Sequence, residues 1–219
     1  VGAGGPFVSE VDESDGSIAL YRPAVAVLNN VSLDHKSLEE LRELFGNFLA
    51  CAGTAVVNAD DDESLALIDQ ARNAITFGLS PEATIYAAET SIVEGPTSIA
   101  ADVIDHRDGS SHALRLQVPG RHNLANALAA IAAASAAGVR VAGAVQHIAS
   151  FTGLARRFDI VGTSASGVTV IDDFGHNPEK IAATLATLRA HPGRIIAFFQ
   201  PHGYGPLRPD QFRHVLLGH

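Results

Sequence analysis

Short apolar runs take turns along the chain with longer stretches in which apolar residues recur every three or four positions, the periods of strand and helix. Phe7 to Val11 reads as a short strand and Ala24 to Asn29 as a second, buried one. Between Ser37 and Cys51 the apolar set Leu38, Leu41, Leu44, Phe45, Phe48 and Leu49 falls at helical spacing. Ser37 with Glu40 three positions on forms a capping box at its start. Thr54 to Asn58 predicts a strand, Glu63 to Arg72 a helix, and Ile75 to Phe77 another strand. This alternation predicts an α/β architecture with a largely parallel sheet.

From Thr84 to Val118 the pattern changes to strand-like runs joined at Gly95-Pro96 and Asp108-Gly109, the signature of an antiparallel insertion. Helix returns at Asn123 to Ala137, apolar almost all round and therefore predicted buried, and again at Ala142 to Phe151. After the Thr152-Gly153 break come strands at Asp159 to Val161 and Val168 to Asp172, then a helix at Pro178 to Ala190 with proline in its first turn. Arg194 to Phe199 reads as a strand, Gln200 to Pro209 as a Gly- and Pro-rich loop, and Asp210 to Leu217 as a short helix. We therefore expect a domain boundary near residue 153, dividing 1–153 from 154–219. So few strands do not close an α/β layer, and the second part is expected to be incomplete.

Charge narrows the functions. The 219 residues carry 15 basic and 24 acidic side chains, a net charge of −9 with no basic stripe, which argues against a grip on nucleic-acid phosphates. The single cysteine, Cys51, excludes a disulfide framework and fits a reducing, cytoplasmic setting. No apolar stretch reaches the roughly 18 residues of a membrane span, and Val1 to Gly16 does not have the pattern of a signal peptide. There is no methionine, so the chain is expected to be a fragment of something longer. Lys36 and Lys180 are the only lysines and neither lies in a G-x-x-x-x-G-K-[ST] loop, so the chain alone is expected to hold nucleotide poorly.

Four groups could carry chemistry. The first, FVSEVDESD, places Glu10, Asp12, Glu13 and Asp15 at and beyond a strand's carboxyl end, where ligands of parallel sheets bind. Such carboxylates suit Mg²⁺, or they form a solvated acidic turn. In the second, NNVSLDH, Asp34 and His35 lie at the same edge; imidazole suits Mn²⁺ or Zn²⁺ better than Mg²⁺, and His35 alone also fits a surface or packing role. The third, VPGRHNLAN, is a Pro-Gly turn into a helix bearing His122, Asn123 and Asn126. Its two asparagines, three apart, could read a purine edge, or Asn123 could simply cap the helix. The fourth joins Arg156 and Arg157 with IDDFGHNP and FQPHGYGPLR, where paired arginines could reach phosphate and the Asp172-Asp173 pair a ribose or an amine.

Together and in this order, SEVDESD, the Asp34-His35 pair, PGRHNLAN, RRF, DDFGHNP and FQPHGY resemble the Mur ligase family, the ATP-dependent amide-bond-forming enzymes of peptidoglycan synthesis. The likeness covers nearly the whole chain and is nearest the alanine-adding branch and its tripeptide-recycling relatives. It implies a partial central ATPase domain followed by the start of a Rossmann-like C-terminal domain. It implies ATP with Mg²⁺ or Mn²⁺, and as partners a UDP-N-acetylmuramate-type substrate with an amino acid or peptide. Carried over by position, Glu10 and His35 are implied as metal ligands, and His122, Asn123 and Asn126 as adenine contacts. Arg157 and Asp173 are implied at phosphate and ribose, and His176 and His202 near the incoming amino acid.

The lysine that sister ligases carbamylate after the Asp-His pair has no counterpart, since Lys180 is the next lysine after Lys36. Two departures bear on the acceptor: Gly203 and Pro206 stand where the branch usually has arginines, and Asn177 replaces a usual second histidine. The family's chemistry is attack of a substrate carboxylate on the γ-phosphate of ATP, giving an acyl phosphate that an amine then opens. Two other readings remain: a catalytically silent nucleotide- or partner-binding module, and a metal-dependent hydrolase built on Glu10, Asp34, His35, Asp172 and His176.

Overall fold

The computed structural model describes residues 5–14, 16–31, 36–176 and 178–200. Its contacts divide into two compact units, 1–92 with 101–114 and 125–148, and 93–100 with 115–124 and 149–219.

The first unit is built on parallel strands. β1 (Val25–Leu28) leads into α1 (Leu38–Cys51), then β2 (Thr54–Asn58), the short α2 (Asp62–Leu65), and β3 (Ala74–Gly78). β1, β2 and β3 pair in parallel, in register Val25 to Thr54 and Ala55 to Ala74, and β4 (Ile85–Ala87) extends the parallel run beside β3. β2 lies between two parallel neighbours, so Ala55, Val56 and Val57 are fully buried, as an interior parallel strand covered on both faces requires. Each such valine contributes about 1.5–3 kcal/mol of burial energy. α1 starts at the predicted capping box, with the Ser37 hydroxyl accepting from the Glu40 amide and the Glu40 carboxylate accepting from the Ser37 amide. Leu41, Phe48 and Leu49 of α1 join Ala26, Leu28 and Val57 in one apolar core.

The insertion is antiparallel, as the pattern predicts. β5 (Val93–Glu94) and β4 both pair antiparallel to β6 (Ile99–Asp105), and β7 (Ser110–Leu116) returns along β6. Gly109, at φ +71°, makes the turn between β6 and β7. The first of the strand-like runs, residues 84–93, is broken by a 3₁₀ turn at Glu89–Ser91. α3 (Arg121–Ala136) buries Leu124, Leu128 and Ile131 completely or nearly so, and α4 (Val141–Ile148) follows.

In the second unit β8 (Asp159–Thr163) and β9 (Thr169–Asp172) form an antiparallel hairpin with a bulge near Gly162, followed by α5 (Pro178–Leu188). The strands that open this part are therefore a hairpin rather than parallel neighbours.

Three expected elements are corrected. Phe7 to Val11 forms no strand: Phe7 is 92% and Val8 90% exposed, and an alternating pattern stays extended only when a neighbouring strand supplies the ladder. Arg194 to Phe199 forms none for the same reason, with Phe198 96% exposed. The helix expected over Glu63 to Arg72 breaks into α2 and a 3₁₀ turn at Ile68–Gln70, because the Leu67, Gln70 and Ala71 amides bond carbonyls three residues back. The helix expected at Asp210 to Leu217 lies outside the described residues.

Candidate functional site

In the first unit the carboxyl ends of the parallel strands are fastened by side-chain amides and carboxylates. Asn58, last in β2, donates from Nδ2 to the Asn29 carbonyl at 2.8 Å and accepts from the Asp60 amide at 2.9 Å, which fixes the orientation of its side chain. Asn29 in turn donates from Nδ2 to Oδ1 of Asn126 at 3.2 Å, although the two are 97 positions apart. Asp60 accepts from the Leu79 and Ser80 amides, and Asp61 from those of Val31 and Ser64. Sequence reasoning passed over Asn58, Asp60 and Asp61 and gave Asn29, the first residue of NNVSLDH, no role of its own; the available signal was a polar residue at or just after the end of a buried apolar strand.

The start of α3 brings the expected histidine and asparagines together on one turn, with separate duties. The Gly120 carbonyl accepts from the Asn123 and Leu124 amides, so the helix begins on glycine rather than on an asparagine cap. Gly120 has φ +93°, and a Cβ there would lie 2.5 Å from the Thr187 hydroxyl and 2.8 Å from the His122 ring, so only glycine fits. Asn123 Nδ2 donates to the Pro119 carbonyl at 2.7 Å, bracing the turn, whereas Asn126 is exposed and engaged with Asn29. Burial holds the His122 imidazole below its ordinary value, opposed in part by the negative charge of Asp173.

Asp173 and its neighbours lie in the second unit, as does the His122 turn. The Asp173 carboxylate accepts from the Phe158 amide at 2.9 Å and from the Gly175 amide at 2.7 Å, tying the RRF turn to the DDFG loop. The Phe174 amide donates to the Arg156 carbonyl at 2.9 Å. Arg156 and Phe158 adopt φ of +60° and +50°, a left-handed backbone that non-glycine residues keep only when surrounding bonds over-determine it. The guanidinium carbons of Arg156 and Arg157 lie 5.0 and 5.7 Å from the centre of the Phe174 ring. His176 meets that ring edge-on at 5.5 Å, and its Nδ1 is 3.3 Å from the Phe174 carbonyl. Thus Arg157 and His176 gather on Phe174, and the negative charge of Asp173 is felt at His122.

The expected metal ligands are not assembled by the described residues. Glu10 is exposed in the segment after Phe7, and the Asp12 carboxylate accepts from the Ser14 amide at 2.8 Å. Asp15, Asp34, His35, Asn177, His202, Gly203 and Pro206 lie outside the described residues. Among the described residues no cluster of His, Cys, Asp and Glu could by itself hold a metal. Glu10 offers a hard oxygen donor of the kind Mg²⁺ prefers, one ligand rather than a cage.

Comparison with known proteins decides the lineage. The Mur ligase middle domain matches residues 7–134, and the Mur ligase glutamate ligase domain matches residues 156–215. The chain belongs to the Mur ligase family. UDP-N-acetylmuramate–L-alanine ligases are similar to it: that of Mycolicibacterium vanbaalenii is 36% identical over 93% of this chain and 46% of its own length, and that of Renibacterium salmoninarum 39% over 92% and 45%. The solved UDP-N-acetylmuramate-alanine ligase of Thermotoga maritima superposes with a TM-score of 0.75 at 26% identity, covering 91% of this chain and 45% of that one. The chain thus spans about half the length of the curated relatives it matches. The mostly parallel sheet with its antiparallel insertion is the Mur ligase fold. Among the described residues no helix of this Mur ligase chain is long and apolar enough to cross a membrane.

Proposed function

We propose that the chain is part of an ATP-dependent ligase that joins an amino acid to UDP-N-acetylmuramate, L-alanine being the first candidate from the relatives' names. The observation that carries this reading is that, within the second unit, the Phe158–Asp173 bond ties the RRF turn to the DDFGH loop and the His122 turn, singled out as a separate group, packs where it feels the charge of Asp173. In this reading Arg157 meets phosphate, Asp173 the ribose, and His122, Asn123 and Asn126 the adenine, while His176 and His202 lie near the incoming amine. Asn126 offers an exposed amide, and Asn123 fixes the turn that presents it. Glu10 with His35 would hold Mg²⁺, which neutralises phosphate charge when bound. Arginine and backbone donors at such a site act by positioning and charge stabilisation, since phosphoryl transfer asks little covalent chemistry of the protein. We place the boundary between the ATPase and C-terminal parts near residue 153 and the protein in the cytoplasm.

The test is amino-acid-dependent release of ADP by the complete protein that carries this chain, supplied with UDP-N-acetylmuramate. Release with L-alanine supports the reading, and no release with any UDP-muramyl acceptor sinks it. A silent nucleotide- or partner-binding module is the second reading, favoured by Gly203 and Pro206 in place of arginines. It predicts ATP binding without ADP release.

A further inference from the structure

Two adjacent arginines lie against one aromatic ring, and the structure gives them unequal freedom. Arg156 is tied through its backbone, whose carbonyl accepts from the Phe174 amide and whose amide donates to Asp159 Oδ2 at 3.2 Å, and its exposed guanidinium, 5.0 Å from the ring centre, keeps one ion pair, with Nε 3.6 Å from Asp172 Oδ2. Arg157 makes no ion pair among the described residues, and its exposed guanidinium rests over the Phe174 ring at 5.7 Å. A guanidinium held against an aromatic face keeps its in-plane N–H donors available, and the ring limits the rotamers it would otherwise sample. Holding a long side chain in advance removes part of the ordering cost that an anion would meet on binding.

We propose that Phe174 is a positioning residue that holds Arg157 ready for the phosphate chain of a nucleotide, while Arg156 is a structural tie. The proposal rests on the reading of Arg157 as a phosphate contact. The left-handed backbone at Arg156 and Phe158 belongs to the same device. It carries the chain past Arg157 while Asp173 and Phe174 grip the turn from the DDFG loop, so the ring and the guanidinium come from segments that are locked together.

The test uses the complete protein that carries this chain and inorganic tripolyphosphate, which has no base or ribose, so an effect cannot come from a purine stacking on Phe174. Arginine Nε–H signals are followed by NMR while the anion is titrated. The expected result is that tripolyphosphate perturbs the Arg157 signal and leaves that of Arg156. F174L should return the Arg157 signal to its free-arginine position and weaken binding about threefold, while F174Y keeps both. F174M, of similar bulk and without a ring, reads the same quantity should F174L fail to fold. In an R157A background F174L should cost nothing more. The inference is overturned if F174L and F174M leave the Arg157 signal and the affinity unchanged, or if the loss persists in R157A. If R157A itself binds like the parent, the phosphate reading of Arg157 falls, and the ring's hold on the side chain is still decided by the Nε–H signal.

Discussion

The parallel strands of the first unit and the β8–β9 hairpin of the second are held by different physics. β2 has no exposed residue, and Phe77 on β3 and Ile85 on β4 are fully buried. In β8 and β9 every residue is exposed or half-exposed, and Val161 and Val170 face solvent. What orders the end of that hairpin is polar: the Asp173 carboxylate on two backbone amides, and the Phe174 amide on a left-handed arginine. Burial makes a platform that tolerates polar change at its rim, whereas a lattice of directed bonds places side chains finely and fails when one bond is removed.

The sharpest way to break the contrast is a cavity in the platform. F77A should destabilise the first unit by about 3–5 kcal/mol, read by denaturant midpoint and by faster exchange of the Val56 and Val57 amides. Next comes G120A, at roughly 2–4 kcal/mol, because a Cβ at φ +93° strains the backbone and meets the Thr187 hydroxyl. If thermal unfolding shows G120A to be neutral, the Pro-Gly turn does not have the close packing described. D173A removes the acceptor of two amides and should cost about 1–2 kcal/mol, with exchange quickening at Phe158 and Gly175 and not at Val57.

The smallest effect is in pH. Because burial lowers the His122 imidazole, the unfolded chain binds its proton more readily. The stability His122 contributes is therefore complete above its unfolded value of about 6.5 and is lost as pH falls from there toward the lower folded value. H122Q should flatten stability across that interval. D173N, by deleting the charge that partly opposes burial, should lower the His122 titration midpoint further, which an NMR titration would read.

Much of the platform is written locally. The apolar spacing of Leu41, Phe48 and Leu49 and the Ser37-Glu40 box specify α1 without reference to the rest of the chain, and the valines of β2 announce an interior strand. Strand existence at Phe7 to Val11 and Arg194 to Phe199 was not so written, because extended backbone is stabilised by a partner that a one-dimensional pattern does not contain. The motifs around His122, Arg157 and Asp173 were readable as residue types. Their mutual fastening was not: the bond from Phe158 to Asp173 spans 15 positions and depends on left-handed dihedrals at Arg156 and Phe158 that nothing in Arg-Arg-Phe forecasts. The same holds for the Asn29 to Asn126 bond, which exists only because a helix far along the chain reaches a strand end.

That line of asparagines gives the rim a stiffness its wetness would not lead one to expect. Asn58 grips the Asn29 backbone and Asn29 grips the Asn126 amide, so a molecule leaning on Asn126 presses against the tips of β1 and β2 together. Both bonds are exposed, so losing one amide costs little while the buried strands beneath keep the tips in place.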